Sequence, residues 1–220
     1  MTRRGTFKAV LFDLDGTLLD TAPDMVAALD QLLAAEGREP VNYEFARAHV
    51  SKGALGLIDM AFGEIKEAHR MSLRDRYLDM YEQSLAVASG LFDGMAEVLD
   101  HIERADMHWG VVTNKPGYLA EPLLAELGLL SRSATTISGD TLPERKPHPR
   151  PLLYAAEQIG VAPGEAMYVG DDTRDIVAGN AAGMTTVAAL YGFILPGEDP
   201  NDWPADHRIE RPGDLLAILS

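Results

Sequence analysis

Two aspartates, one residue apart, follow directly on an apolar run near the start of the chain. The letters AVLF at positions 9–12 lead into Asp13 and Asp15, and Gly16 comes next. An apolar run that ends in polar residues and glycine predicts a buried strand that enters a sharp turn. Two carboxylates at a buried strand end are costly unless a cation lies beside them. We therefore predict a Mg²⁺ and phosphate site with Asp13 as its nucleophile.

This stretch has two simpler interpretations. A calcium loop needs oxygen ligands at alternating positions, glycine at the sixth and a late glutamate. Here Gly16 stands fourth and no glutamate follows in range, so the pattern disfavours calcium. The other interpretation is a strand whose polar end only caps a turn, and these residues alone leave it open.

Composition limits the classes of partner. The 220 residues suffice for one large domain or for a domain with an insertion. The 19 basic and 34 acidic residues give a net charge of −15, which disfavours nucleic acid and anionic membranes as partners. A small phosphorylated metabolite stays compatible, because one metal ion and one lysine can hold it locally. The absence of cysteine excludes disulfides, thiolate zinc sites and thiol nucleophiles.

The N-terminal stretch argues for a cytoplasmic protein. Residues 1–8 are basic, and the apolar run after them lasts four residues before Asp13. That run is too short for a signal peptide or a membrane span. We expect a cytoplasmic monomer or homodimer.

Strand and helix patterns alternate over most of the chain. The spacing of apolar residues predicts strands at 7–13, 107–113, 134–137, 166–169, 184–190 and 207–209, with helices between most of them. Residues 20–89 contain only helical patterns and a glycine-rich turn at 50–56. This order predicts an α/β fold, a doubly wound parallel (Rossmann-like) sheet with an inserted all-helical domain. The predicted division is 1–19 and 90–220 for the core and 20–89 for the insertion.

Polar side chains follow four of the predicted strands. Ligands of such sheets bind at the carboxyl ends of the strands, so these side chains are expected on one rim. They are Asp13 and Asp15, Thr113 and Asn114, Lys146, and Asp171 and Asp172 with Asp175 one turn later. Singly, several have ordinary explanations: Thr113 could satisfy a turn, Lys146 could be solvated, and Asp171 or Asp172 could cap a helix. Their convergence predicts phosphoryl-transfer chemistry.

That chemistry assigns a role to each residue. Asp13 attacks phosphorus and forms an aspartyl-phosphate, while Asp15 protonates the leaving oxygen and later activates water. Thr113, Asn114 and Lys146 bind the phosphate. Mg²⁺ takes oxygen ligands. Its predicted ligands are the Asp13 carboxylate, the Asp15 main-chain carbonyl and Asp171, with Asp172 and Asp175 in or near the metal shell.

The same residues resemble the four ordered motifs of the haloacid dehalogenase superfamily. The motifs are Asp13-Leu14-Asp15-Gly16-Thr17, Thr113-Asn114, Lys146-Pro147 and Gly170-Asp171-Asp172-Thr173-Arg174-Asp175. The resemblance implies the roles just given, and the insertion is similar to the C1 cap of the superfamily. The second acid, Asp15, implies phosphatase or mutase chemistry, since the dehalogenases lack it and the transport ATPases carry threonine there.

Within the superfamily the chain is similar to the phosphoglycolate phosphatase-like group. Residues 91–116 and 191–203 resemble bacterial N-acetylmuramic acid 6-phosphate phosphatases of peptidoglycan recycling still more closely. The resemblance thus implies a Mg²⁺-dependent phosphatase of carbohydrate metabolism that acts on one of these two substrates. The alternatives are a phosphomutase of the β-phosphoglucomutase type and a non-catalytic binding domain on the same scaffold.

The turn at 51–53 is where a cap would recognise the substrate. We hypothesise that Lys52 contacts the part of the substrate that is not phosphate, such as a carboxylate, which both candidate substrates carry. A solvated turn lysine is the alternative.

Overall fold

The computed structural model describes residues 7–220; predictions that concern residues 1–6, the first part of the core and of the basic N-terminus, lie outside this range. Six parallel strands form one sheet in the order β5-β4-β1-β6-β7-β8, and β2 and β3 form a separate antiparallel pair. The strands are β1 (Ala9–Phe12), β2 (Leu19–Asp20), β3 (Gly90–Leu91), β4 (His108–Val112), β5 (Thr136–Ile137), β6 (Ala166–Gly170), β7 (Thr185–Ala189) and β8 (His207–Ile209).

Helices lie between most of the parallel strands and between β2 and β3. They are α1 (Ala22–Ala35), α2 (Tyr43–Ala48), α3 (Gly53–Phe62), α4 (Glu67–Glu82), α5 (Met95–Arg104), α6 (Gly117–Glu126), α7 (Arg150–Gln158), α8 (Thr173–Ala182) and α9 (Leu215–Leu219). Within residues 7–220, no helix is long and apolar enough to cross a membrane.

The central strand β1 is buried on both faces, which explains its uninterrupted apolar sequence. Val10 and Phe12 belong to the hydrophobic core that includes apolar residues of α5 and α6, whereas Ala9 and Leu11 pack in a second core with residues of α7 and α8. Successive side chains of a strand point to opposite faces. The sheet is therefore covered by helices on both sides, as the predicted doubly wound fold requires.

Helices α1–α4 form the cap. Leu29 of α1 and Leu73 of α4 are fully buried in the same core as Val10 and Phe12, so the cap is packed as a continuation of that core. The Tyr77 hydroxyl of α4 donates to the Met25 carbonyl of α1 at 3.1 Å, which satisfies a buried polar group between the two helices.

The segment that returns from the cap to the core is held by one buried carboxylate. Asp24 accepts hydrogen bonds from the main-chain N–H groups of Ala88 and Ser89 at 2.8–3.0 Å and from the Ser89 hydroxyl at 2.7 Å. These N–H groups are consequently not available to an i−4 carbonyl. The helical pattern predicted for 20–89 was wrong at its end, since α4 ends at Glu82 and a turn leads from there to β3.

The glycine-rich stretch after α2 is more helical than predicted. A 3₁₀ turn at Val50–Lys52 is followed at once by α3 from Gly53. A Cβ atom on Gly56 would lie 2.3 Å from the Cβ of Lys52, so this glycine serves close packing within the helical segment and not a turn. The first turn of α3 was missed because glycine signals both uses equally.

Candidate active site

The turn after β1 carries both aspartates of the first motif. The Asp13 N–H donates to the Val169 carbonyl at 2.9 Å, which keeps β1 paired with β6 up to this residue. Gly16 has a φ of +81°, a left-handed conformation that glycine adopts at little cost, and its N–H donates to the Leu19 carbonyl at 2.9 Å. Asp13 is buried and Asp15 is partly exposed, and both line the same cavity.

A buried lysine joins two of the predicted site residues. The Lys146 ammonium lies 2.8 Å from Asp13 Oδ1 and 2.8 Å from Asp175 Oδ1, and it donates to the Tyr168 hydroxyl at 2.8 Å. Burial works to lower the pKa of Lys146, but the charges of Asp13 and Asp175 outweigh it and raise that pKa. The lysine is therefore a fixed positive charge beside the predicted nucleophile.

Three buried carboxylates converge around one point. An oxygen from each of Asp13, Asp171 and Asp175 lies within 4.8 Å of the others. Burial raises the pKa of Asp13 to about 6, with Lys146 opposing the shift and Asp175 adding to it. Burial, together with the charges of Asp13 and Asp175, raises the pKa of Asp171 to about 7. Lys146 and the nearby Arg174 do not balance three carboxylates, and a hard divalent cation that prefers oxygen ligands fits this donor set.

The carboxylate of Asp171 is held by groups from three separate segments. It accepts hydrogen bonds from the Thr17 hydroxyl at 3.2 Å, the Ser51 hydroxyl at 2.8 Å and the Phe193 N–H at 2.8 Å. Ser51 belongs to the cap, so the cap touches a predicted metal ligand directly.

Asp15 is fixed through only one of its oxygens. Oδ1 accepts hydrogen bonds from the Thr21 hydroxyl at 2.6 Å and from the Lys115 ammonium at 3.0 Å. Oδ2 accepts no hydrogen bond from the described residues. This arrangement leaves one oxygen of the predicted acid and base unengaged at the cavity that it lines.

The two residues after β4 differ in how they are placed. The Thr113 side chain is buried and accepts from the Lys115 N–H at 3.1 Å. The Asn114 amide pairs with the main chain of Lys146, accepting from its N–H at 3.1 Å and donating to its carbonyl at 3.0 Å. Asn114 thus positions the segment of Lys146. Phosphate binding by Thr113 and Asn114 stays a prediction.

The first turn of α8 separates the remaining aspartates. Asp172 is the N-cap and accepts from the Arg174 N–H at 3.0 Å, while Asp175 accepts from the Asp172 N–H at 3.1 Å. The reciprocal pair is a capping box. The N-cap interpretation of Asp172 is confirmed, and Asp175, not Asp172, joins the cluster of three carboxylates.

The cap segment at 50–52 is docked on this part of the core. The Lys52 ammonium lies 2.8 Å from Asp172 and 3.3 Å from Glu198, and Arg174 donates to the Ser51 carbonyl. Burial works to lower the pKa of Lys52, but its hydrogen bond to Asp172 and the charge of Glu198 raise it. Lys52 is thus an ion-pair partner between cap and core, and its predicted contact with substrate stays a prediction.

One cavity of about 520 Å³ lies between the cap and the core. It brings together five predicted site residues, whereas Lys146, Asp171, Asp172 and Asp175 do not line it. The five are Asp13, Asp15, Lys52, Thr113 and Asn114.

Several residues of the site carried no role in the sequence analysis. Ser51 and Arg174 join cap to core, and Lys115 contacts Asp15 and the Tyr81 hydroxyl of α4. Lys115 and Arg174 had an accessible signal, because Lys115 directly follows the second motif and Arg174 lies within the fourth. The partners of these residues are separated by 34 to 123 positions in the chain, and local patterns do not encode such contacts.

Gly16→Ala is expected to lower the free energy of unfolding by about 2 kcal/mol or more. A Cβ at this position would lie 2.1 Å from Asp171 Oδ2 and 2.8 Å from a ring carbon of Phe193, on a backbone with φ +81°. The alanine would displace a predicted metal ligand in addition to straining the turn. Chemical denaturation and Mg²⁺ titration measure the two effects.

Gly37→Ala is the matched control for that variant. Its φ is +68°, but a Cβ there would meet no atom within 4 Å. It therefore reports the backbone strain alone. Equal losses of stability in the two variants, with Mg²⁺ affinity retained in both, would contradict the expected clash at Asp171.

Mg²⁺ affinity is expected to fall as the pH drops through about 7 and 6. Asp13 and Asp171 must lose their protons to bind the cation. For each proton that binding releases, the Mg²⁺ affinity falls by up to about tenfold per unit decrease in pH below the pKa of that group. Because both pKa values lie above the ordinary 3.8, these two groups stabilise the metal-free fold below about pH 4, and that contribution is lost as the pH rises through 6 and 7.

Thermal unfolding with and without Mg²⁺ measures this dependence. The ion should raise the unfolding temperature far more at about pH 8 than at about pH 5.5. An equal rise at both values would contradict cation binding by Asp13 and Asp171 with pKa values raised to about 6 and about 7.

Known proteins resemble this chain over nearly its full length. Residues 10–189 match the family model of haloacid dehalogenase-like hydrolases. A phosphoglycolate phosphatase of Xanthomonas campestris pv. campestris is 49% identical over 208 residues, 94% of each chain. An N-acetylmuramic acid 6-phosphate phosphatase of Pseudomonas aeruginosa is 43% identical over 218 residues, 99% of this chain and 96% of its own.

A solved structure agrees with these relatives. The crystal structure of a predicted phosphoglycolate phosphatase from Haemophilus somnus aligns with a TM-score of 0.87 at 26% identity, covering 99% of this chain and 100% of the other. The predicted fold class and phosphatase activity are thereby confirmed. The chain belongs to the haloacid dehalogenase-like hydrolase family.

Proposed function

We propose that this phosphatase hydrolyses N-acetylmuramic acid 6-phosphate, or a sugar-acid phosphate of that size, with Mg²⁺ and through an aspartyl-phosphate on Asp13. The observation that carries the choice of substrate is the cavity of about 520 Å³ between cap and core. It falls within the range of about 300–1,000 Å³ typical of pockets for drug-sized ligands. A two-carbon acid such as 2-phosphoglycolate would leave most of it empty.

The lining of the cavity suits a sugar acid. Apolar side chains of the cap form one wall, and they include Met25, Leu55 and Leu78. Three arginines also line it. Arg174 donates to the Ser51 carbonyl, Arg74 pairs with its exposed neighbour Asp75, and Arg145 forms no ion pair within residues 7–220. In a chain with a net charge of −15, such cations favour a carboxylate on the substrate.

The phosphate end of the substrate meets the rim of the sheet. Lys146 offers positive charge beside Asp13, and Thr113 lines the cavity next to them. The main-chain N–H groups of Asp15 and Asn114 donate no hydrogen bond within the described part of the chain. We assign these N–H groups to the phosphate oxygens, since buried or half-buried donors need an acceptor.

The reaction proceeds in two displacements at phosphorus. A carboxylate oxygen of Asp13 attacks phosphorus, the bond to the sugar oxygen breaks, and that oxygen takes the bonding electron pair and a proton from Asp15. Water then attacks the aspartyl-phosphate, gives a proton to Asp15 and releases phosphate, which returns the electron pair to the Asp13 carboxylate.

The cation would be held by the Asp13 carboxylate, the Asp15 main-chain carbonyl and Asp171, with Asp175 beside them. When bound, Mg²⁺ supplies positive charge that stabilises the phosphoryl oxygens. Asp175 accepts from Lys146 and from the Asp172 N–H, so it orients the lysine and the first turn of α8 at the edge of the metal shell. Asp172 contributes indirectly: it caps the N-terminus of α8 and forms an ion pair with Lys52.

The second candidate substrate is 2-phosphoglycolate. Four relatives with this name are 48–49% identical to the chain and two others are 34–35% identical, against 43–44% for those named for the muramic acid ester. Both esters carry a carboxylate, so the cations of the cavity accept either. Cavity size is what separates them.

Relative kcat/KM values test the choice of substrate. We expect N-acetylmuramic acid 6-phosphate to exceed 2-phosphoglycolate by about 10- to 100-fold, and to exceed N-acetylglucosamine 6-phosphate, which lacks the carboxylate, by a similar factor. A higher value for 2-phosphoglycolate would establish the second candidate. No turnover of any of the three with Mg²⁺ would contradict the proposed function.

Lys52 offers a further contact with the substrate. It lines the cavity while paired with Asp172 and Glu198, so a substrate carboxylate could share its ammonium. An unchanged KM in a Lys52→Ala enzyme would contradict this role.

A cytoplasmic location and a monomeric or homodimeric state stay predictions.

A further inference from the structure

We infer that Lys115 is a positioning residue that, with Thr21, holds one oxygen of Asp15 so that the other faces the substrate. Lys115 is 8% exposed, and its ammonium lies 3.0 Å from Asp15 Oδ1. The Thr21 hydroxyl donates to the same oxygen at 2.6 Å. Two donors on Oδ1 fix the rotation of the carboxyl group about its bond to Cβ.

The ammonium of Lys115 has no donor left for a substrate. Lysine carries three N–H donors. Those of Lys115 are directed to Asp15 Oδ1 at 3.0 Å, the Tyr81 hydroxyl at 2.9 Å and the Met25 sulfur at 3.9 Å. The Tyr81 ring also lies 4.5 Å from the same nitrogen. The lysine lines the cavity, but its contacts are those of a support for Asp15.

Two of the supports come from the cap. Met25 lies on α1 and Tyr81 on α4, whereas Lys115 follows β4 of the core. An ammonium buried to this degree is stable only when it is paired and hydrogen-bonded. The geometry of Asp15 therefore depends on cap residues that do not touch Asp15 themselves.

The consequence concerns proton transfer to the leaving group. This inference rests on the role proposed for Asp15, because an alkoxide must receive a proton as its bond to phosphorus breaks. A nitrophenolate is a stable leaving group and needs far less help. Misplacing Asp15 should therefore harm cleavage of an alkyl phosphate much more than cleavage of an aryl phosphate.

The test compares kcat/KM for p-nitrophenyl phosphate with kcat/KM for the alkyl phosphate that the wild type cleaves best. This constant includes steps only up to formation of the aspartyl-phosphate. In a Lys115→Met enzyme the alkyl-to-aryl ratio should fall by about 100-fold. Tyr81→Phe removes one acceptor of the same ammonium and should lower the ratio by a smaller factor.

Two further variants separate the outcomes. Asp15→Asn should lower the ratio at least as much as Lys115→Met; if it does not, the proposed role of Asp15 fails, whatever Lys115 does. If Asp15→Asn lowers the ratio and Lys115→Met lowers both constants equally, Lys115 is structural and the inference is overturned. Should Lys115→Met not fold, Lys115→Gln, which keeps a neutral donor, must lower the ratio by about tenfold or more for the inference to stand.

Discussion

An Asp13→Asn enzyme is expected to lose turnover by on the order of 10⁴-fold or more while it keeps its fold. The amide is no nucleophile toward phosphorus, so no aspartyl-phosphate forms. The substitution leaves the Lys146 ammonium paired with Asp175 at 2.8 Å, and it removes a buried carboxyl whose pKa burial raises to about 6. Steady-state kinetics and thermal unfolding measure the two results.

The unfolding temperature of this variant decides how its kinetics are interpreted. For a chain of this size about 1 kcal/mol corresponds to a shift of about 2–4 °C, so a midpoint within that range of the wild type shows an intact fold. Asp202→Asn, an exposed site outside the cavity, is the matched control. Near-normal turnover by the Asp13→Asn enzyme would show that Asp13 is not the nucleophile.

Lys146→Met is expected to lower both activity and stability. We expect kcat to fall by about 10²–10³-fold, because the fixed charge beside the reacting phosphate is lost. The free energy of unfolding should fall by about 3–5 kcal/mol at neutral pH, since Asp13 and Asp175 lose the buried cation that lies 2.8 Å from each. Chemical denaturation at neutral pH measures the second effect.

Lys8→Met supplies the control for burial. Lys8 forms an ion pair with Glu165 at 2.8 Å, but the side chains are 59% and 40% exposed, against 1% for Lys146. Exposed pairs contribute about 0–1 kcal/mol. Equal losses of stability in the two lysine variants would show that the Lys146 ammonium does not stabilise the buried carboxylates of Asp13 and Asp175.

The placement of Asp13 and Asp171 could be predicted because the topology of the sheet determines it. Asp13 follows β1 and Asp171 follows β6, and these strands are neighbours in a parallel sheet. The carboxyl ends of parallel strands meet at one edge, so reading the strands correctly brings the two residues together. The placement of Lys146 could be predicted in the same way, because it lies in the loop after β5.

The contacts between cap and core could not be predicted in this way. Ser51 reaches Asp171 across 120 positions, and Lys115 reaches Tyr81 across 34. Each depends on how the cap is oriented on the sheet, which side-chain packing decides and periodicity does not encode. The short pair β2–β3 was missed for a related reason, because two residues per strand leave no alternating pattern.

Mass spectrometry of a trapped phosphoenzyme is the most direct test of catalysis through Asp13. The Asp15→Asn enzyme is mixed with Mg²⁺ and p-nitrophenyl phosphate, quenched in acid and digested. Because this variant lacks the base that activates water, the aspartyl-phosphate should accumulate. We predict one phosphoryl group per chain on the peptide that contains Asp13, together with a burst of nitrophenol equal to the enzyme concentration. A burst without that modification, or a phosphoryl group on another residue, would contradict catalysis through Asp13.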